Sequence, residues 1–171
     1  LSIRVTTDEL AALADRHALT PERLWQCRED RIEACLREEL DAGRKAPYDD
    51  VSALDGVGVP TGVVSNNQRR IVEVALDTHG LADRFETVVA RDPTVESLAE
   101  KKPEPTYLET AMADIDCSNP LYVGDSESDV VAADRAGFDV AFLRRGHNAD
   151  TVLDSRPTHD VESLHAVVDL L

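Results

Sequence analysis

The most legible pattern in the chain is the apolar run Leu121-Tyr122-Val123, closed by Gly124 and followed by the acidic cluster Asp125-Ser126-Glu127-Ser128-Asp129. An alanine-rich amphipathic stretch then continues to Gly137, where a glycine is suited to end a helix. The reading is strand, loop, helix. The same alternation predicts strands over 61–64, 86–90, 121–123 and 138–143, with a weaker one over 157–160, and helices over 67–78, 104–114, 127–136 and 161–170. Strands alternating with helices predict an α/β fold, a doubly wound, Rossmann-like parallel sheet. Upstream the period changes to 3.6. Thr7 is a candidate cap for a helix carrying Leu10, Leu13 and Ala14 to about His17. Thr20-Pro21-Glu22 opens a longer helix with Leu24, Trp25, Ile32, Leu36 and Leu40, and Gly43 is placed to end it. These predict an N-terminal helical hairpin, helices within 7–43 of a segment 1–46, and an α/β core over 47–171, with Ala46-Pro47-Tyr48-Asp49-Asp50 as the linker. Residues 1–5 alternate like a short strand.

In a parallel sheet the carboxyl ends of the strands face the crevice where ligands bind, so Asp125 is expected at the rim. Asp129 lies about one helical turn further and can face the same space. Two converging carboxylates repel unless a cation lies between them, and an all-oxygen site suits Mg²⁺. The same residues also make a capping-box-like pair, Ser126 with Asp129 three positions on, and both readings can hold at once. Thr61-Gly62-Val63-Val64 ends in Ser65-Asn66-Asn67, with a helix expected from Gln68. Free N–H groups beside Ser65 make that point a seat for phosphate, though an ordinary N-cap explains Ser65 equally well. Lys101 and Lys102 precede Pro103. A lone lysine there is usually solvated, yet two of the chain's 3 lysines, against 15 arginines, fall at this spot. That suggests a compact point charge is wanted there. The five histidines are scattered and read as surface or core residues, and Arg144-Arg145-Gly146-His147, which follows a strand and could touch an anionic substrate, reads better as a solvated basic loop.

With 171 residues, 42% of them hydrophobic, the chain can bury one sizeable core. A net charge of −16 removes the footprint of a nucleic-acid binder. No apolar run approaches the roughly 20 residues of a bilayer span, and no signal-peptide pattern opens the chain, so a soluble cytoplasmic protein with no membrane partner is expected. Of the 34 acids 20 are Asp, and lysine is scarce, which suggests a protein that stays hydrated in concentrated salt. A halophilic origin predicts a melting temperature that rises with KCl; a flat response would contradict it. Cys27, Cys35 and Cys117 form no CxxC pair and read as reduced packing residues, the first two on a similar face of one helix.

Taken together, the strand ending in Ser65, the Lys102-Pro103 element and Gly124-Asp125-x-x-x-Asp129 resemble the haloacid dehalogenase-like hydrolase superfamily, near its phosphoglycolate phosphatase-like branch. The resemblance covers about residues 48–145, and the helical hairpin looks like a small version of that branch's cap. It implies a Mg²⁺-dependent hydrolase of a small phosphorylated metabolite. Ser65, with Asn66 beside it, would bind the phosphoryl group, Lys102 would neutralise charge on it and on the nucleophile, and Asp125 with Asp129 would hold the metal. The acidic pair favours a phosphatase over the metal-free dehalogenases of the superfamily.

The family's first motif, Asp-x-Asp followed by Gly and Thr or Val, is not in these 171 residues. It supplies the nucleophile and the acid–base from a strand lying between those that end here in Ser65 and Asp125. Without that strand the sheet is expected to carry a central gap lined by unpaired backbone groups, each costing about 1–3 kcal/mol when buried. Three sources are open: residues upstream of Leu1, the favoured one because the chain has no initiating Met and the cap normally follows the first motif; residues 1–5, with Asp8 as a poor substitute acid; or another chain. The chain as it stands is expected to be inactive. The alternatives are a non-catalytic module of the same fold that binds a phosphorylated ligand or a protein, and a flavodoxin-like signalling domain phosphorylated on Asp125. Arg28, Arg31, Arg37 and Arg44 in the helical pair suit small anionic phosphates in a general way, and neither substrate nor oligomeric state is written in the sequence.

Overall fold

The sequence signals for two leading helices are realised with small shifts. The computed structural model describes residues 5–171, so the strand expected over residues 1–5 lies, except for Val5, outside the described residues. Helix α1 (Thr7–Arg16) is capped by Thr6, one residue before the expected cap. Thr6 Oγ1 accepts the Glu9 N–H and the Glu9 carboxylate accepts the Thr6 N–H, a reciprocal capping box. Helix α2 (Pro21–Asp41) starts with Thr20 as its cap and Pro21 in the first turn, and Gly43 follows it in the left-handed region. Leu10 and Trp25 bury against Val5 and Leu98, so the helical pair rests on the body of the molecule. Cys27 is exposed, which removes the packing role expected for it.

The stretch read as a linker is partly ordered. From Asp49 the chain forms a 3₁₀ helix, Asp49–Gly56. Asp50 is the reason this segment is held: its carboxylate accepts two bonds from Arg145, at 2.9 and 3.0 Å, and one from the Leu164 N–H at 2.7 Å. Arg145 also lies over the Tyr48 ring, 4.4 Å from its centroid. The Arg145 guanidinium, helped by the Leu164 amide and opposed by burial, holds the Asp50 carboxyl below its usual pKa. A depressed folded-state pKa contributes stability that is full above the unfolded value of about 4 and is lost as pH falls through the folded value. Asp50→Asn is therefore expected to cost about 1–3 kcal/mol near neutrality and to flatten the acid limb of stability below about pH 5. Urea unfolding at a series of pH values checks this; parallel acid limbs for parent and variant would contradict it.

The remaining chain alternates strand and helix. Strands β1 (Gly62–Gln68) and β2 (Thr87–Arg91) pair in parallel, as do β3 (Leu121–Gly124), β4 (Asp139–Leu143) and β5 (His159–Val161). Helices α3 (Arg69–Thr78), α4 (Thr106–Ile115), α5 (Glu127–Ala136) and α6 (Leu164–Val168) complete the α/β architecture. The largest core cluster joins Leu108 of α4, Val130, Ala132 and Ala133 of α5, and Val140 and Phe142 of β4. Among the described residues the strands form two parallel sheets, β1-β2 and β3-β4-β5, within the expected doubly wound α/β core. The division falls between β1 and β3. A largely apolar cleft of about 760 Å³ has Gly62 and Val64 of β1, Tyr122 and Val123 of β3, and Leu108 and Phe138 among its walls.

Candidate active site

Strand β1 runs further than its apolar run suggests. Its register with β2 is regular to Ser65, opposite Ala90, and resumes at Gln68, opposite Arg91. Asn66 and Asn67 are thus bulged out of the ladder at the strand's carboxyl end, and the helix starts at Arg69, later than expected. Ser65 Oγ accepts the Asn67 N–H at 3.1 Å, which leaves its hydroxyl proton available to a ligand. Asn66 uses its amide on Lys102: its Oδ1 accepts the Lys102 N–H at 2.8 Å and its Nδ2 donates to the Lys102 carbonyl at 3.1 Å. The Asn66 side chain therefore holds the lysine segment rather than standing free for a phosphate.

Lys102 reaches across the division between the sheets. Its ammonium donates to the Val64 carbonyl of β1 at 3.3 Å and to the Tyr122 hydroxyl of β3 at 2.6 Å, and pairs with Asp129 Oδ1 at 2.7 Å. Three N–H groups meet three acceptors, and both side chains of the ion pair are about nine-tenths buried. The other Asp129 oxygen accepts the Ser126 N–H at 3.0 Å, the Asp125 N–H at 3.2 Å and the Ser126 hydroxyl at 2.6 Å, while the Tyr122 hydroxyl donates to Oδ1 at 3.1 Å. Burial works to raise the Asp129 pKa, but the Lys102 charge and the bonds from Lys102, Ser126 and Tyr122 outweigh it and hold the carboxyl below its ordinary value. Burial, with the Asp129 charge, pushes the Tyr122 phenol upward, so it stays a neutral donor.

Gly124 makes this approach possible. A Cβ on it would lie 2.3 Å from Asp129 Cβ and 2.6 Å from Asp129 Cγ. Asp125, next along, is exposed at the rim, as expected from its place after β3. Its carboxylate lies 2.9 Å from His147 Nε2, and its carbonyl accepts from Asn148 Nδ2 at 2.8 Å.

An oxygen-seeking cation such as Mg²⁺ fits Asp125, whose carboxylate faces solvent with lone pairs to spare. Asp129 does not fit as a direct ligand, because five donors fill its oxygens and one of them is an ammonium. The expected pair of converging metal ligands is thus one open carboxylate and one closed, and among the described residues no three His, Cys, Asp or Glu side chains gather as a metal cluster.

Tyr122 and His147 were not singled out as site residues in the sequence. A tyrosine inside an apolar strand carries a hydroxyl that needs a partner when buried, and that signal marks Tyr122. The basic loop is not simply solvated. Arg144 pairs with Asp160 at 2.8 Å and also donates to the carbonyls of Ala149 and Thr151, Arg145 is taken by Asp50, and the buried Asn148 pins His147 beside Asp125.

Residues 26–143 match the family model described as haloacid dehalogenase-like hydrolase. The chain is 33% identical over 135 residues to a phosphoglycolate phosphatase of Neisseria meningitidis, covering 73% of this chain and 56% of that protein. It is 32% identical over 156 residues to a phosphoglycolate phosphatase of Vibrio vulnificus, covering 83% of this chain and 67% of that one. The crystal structure of a HAD phosphatase from Thermococcus onnurineus superposes with a TM-score of 0.68 at 18% identity, over 96% of this chain and 86% of that chain, a likeness of fold. The chain spans about half to two-thirds of the length of these curated relatives. Among the described residues no helix is long and apolar enough to cross a membrane.

Proposed function

The chain belongs to the haloacid dehalogenase-like hydrolase family, and on that premise we propose that it carries the phosphate-binding and charge-neutralising part of a phosphomonoester hydrolase acting on a small phosphorylated metabolite, with phosphoglycolate, named for its relatives, as the first substrate to try. The observation that carries this reading is the Lys102 ammonium, which donates to the Val64 carbonyl of β1 and the Tyr122 hydroxyl of β3 and so bridges the two sheets beside Asp129. Phosphoryl transfer needs positioning and charge neutralisation from a protein more than covalent chemistry. Ser65 would donate its hydroxyl proton to a phosphoryl oxygen. Lys102 would set a positive charge beside the incoming nucleophile and the phosphoryl group. Asp125 would hold Mg²⁺, which supplies further neutralisation of phosphoryl charge when bound. Asp129 acts behind them, fixing Lys102 and the 125–126 loop.

The nucleophile and the acid–base are assigned to a strand seated between β1 and β3, and the upstream part of the protein is its proposed source. Two parallel edges facing one apolar slot favour an extended segment there over any globular filling. A non-catalytic module explains the closed Lys102–Asp129 pair and the exposed Asp125–His147 pair equally well, and the response of Asp125 variants separates the two readings. In the protein extended upstream of Leu1, Asp125→Asn is expected to lower kcat on p-nitrophenyl phosphate by about 10²-fold or more and to weaken the response to added Mg²⁺. Unchanged kcat and unchanged Mg²⁺ titration would remove Asp125 from the site.

A further inference from the structure

Away from the phosphate end, the most deeply buried polar group among the described residues is an ion pair that the proposed chemistry does not use. Arg91, the last residue of β2, is 1% exposed and Glu29 of α2 is 0% exposed. Arg91 Nη2 donates to the Glu29 carboxylate. Its Nη1 donates to the Asp92 carbonyl at 2.9 Å and to Ser97 Oγ at 3.3 Å, and its Nε donates to the Asn66 carbonyl at 3.1 Å. Gln68, paired in register with Arg91, donates from Nε2 to the Glu29 carbonyl at 3.0 Å. The guanidinium also lies 5.2 Å from the Trp25 ring centroid.

We propose that Arg91 is a positioning residue that couples the seat of helix α2 to the placement of Lys102, by way of Asn66. Its consequence for catalysis rests on the phosphatase reading above; the coupling itself does not. Asn66 lies in the bulge, where β1 makes no ladder bonds, so its backbone needs another anchor, and Arg91 Nε supplies it. The Asn66 side chain then brackets Lys102 from both sides of its peptide. The path runs from Glu29 through Arg91 and Asn66 to Lys102 and Asp129, each link a hydrogen bond or ion pair given above. Stability alone does not call for such a pair, because apolar residues of similar volume usually hold a buried position as well or better. A planar fork adds direction: it addresses acceptors on α2, the β1 bulge and the segment after β2 at once, which a lysine ammonium does not do.

The test is Arg91→Lys, which keeps a cation beside Glu29 and loses the fork, read by residue-resolved amide hydrogen exchange of the folded chain. The Lys102 amide, which donates to Asn66 Oδ1, is expected to exchange about tenfold faster while the Val130 amide in α5 is unchanged. An unaltered Lys102 amide, or an equal rise at Val130, would overturn the coupling. Glu29→Gln, nearly isosteric, guards against a variant that fails to fold and is expected to shift the same amide in the same direction; no shift there counts equally against the proposal. In a hydrolytically active form, Arg91→Lys is expected to lower kcat about tenfold with KM within about twofold, and to add no further loss on top of Lys102→Met. Additive losses would overturn the path through Lys102. A responding Lys102 amide with no hydrolysis by any form would reject the phosphatase reading and leave the coupling standing.

Discussion

Lys102→Met is expected to cost the fold about 3–5 kcal/mol and any phosphoester hydrolysis about 10²–10³-fold. The stability loss comes from Asp129, which keeps its buried carboxylate but loses the ammonium at 2.7 Å that compensates it. The Val64 carbonyl and the Tyr122 hydroxyl lose their donor at the same time, so the two sheets lose the link the ammonium makes between them. The loss in rate has a separate cause, the missing positive charge at the proposed phosphoryl seat. The two effects separate in the double variant Lys102→Met/Asp129→Leu. Removing both charges is expected to recover part of the stability, because the Asp125 and Ser126 N–H groups still lose their acceptor, and none of the activity. Urea unfolding and p-nitrophenyl phosphate hydrolysis measure the two. A single variant as stable as the parent would mean that the pair is solvated in solution.

Gly124→Ala is expected to damage the same site with one methyl group. The added Cβ would meet Asp129 at 2.3 Å, so either β3 shifts or Asp129 leaves its place under Lys102 and Tyr122. Overpacking of this kind costs about 1–3 kcal/mol, and displacement of Asp129 lowers hydrolysis further by moving Lys102 with it. Gly58→Ala is the matched control, with nothing within 4 Å of the added atom, and is expected to be neutral in both assays. Equal behaviour of the two variants would show that Asp129 has room to move without consequence.

The element order was largely legible because apolar runs and caps are local. The α5 helix begins and ends where Ser126 and Gly137 place it, and Pro21 starts α2 as its sequence signal requires. The bulge at Asn66 was not legible, because hydrophobic alternation carries no information on register with β2. The 3₁₀ helix from Asp49 was missed for a related reason: Asp50 is ordered by Arg145 and by the N–H of Leu164, both about a hundred residues away. At the site, spacing alone put Asp125 and Asp129 one turn apart on the same loop and helix. It could not decide that Lys102, 27 positions upstream, would close one carboxylate and leave the other open. Among the described residues β1 and β3 do not pair, and under the proposed reading the place between them belongs to the strand that bears the nucleophile.

The decisive measurement is hydrolysis of phosphoglycolate and p-nitrophenyl phosphate with Mg²⁺, by the 171-residue chain and by the same chain extended upstream of Leu1. Turnover is expected from the extended form and none from the 171-residue chain alone, because the proposed nucleophile strand is seated between β1 and β3. Turnover by the 171-residue chain at the same rate would place the nucleophile within these 171 residues and contradict the assignment to an upstream strand.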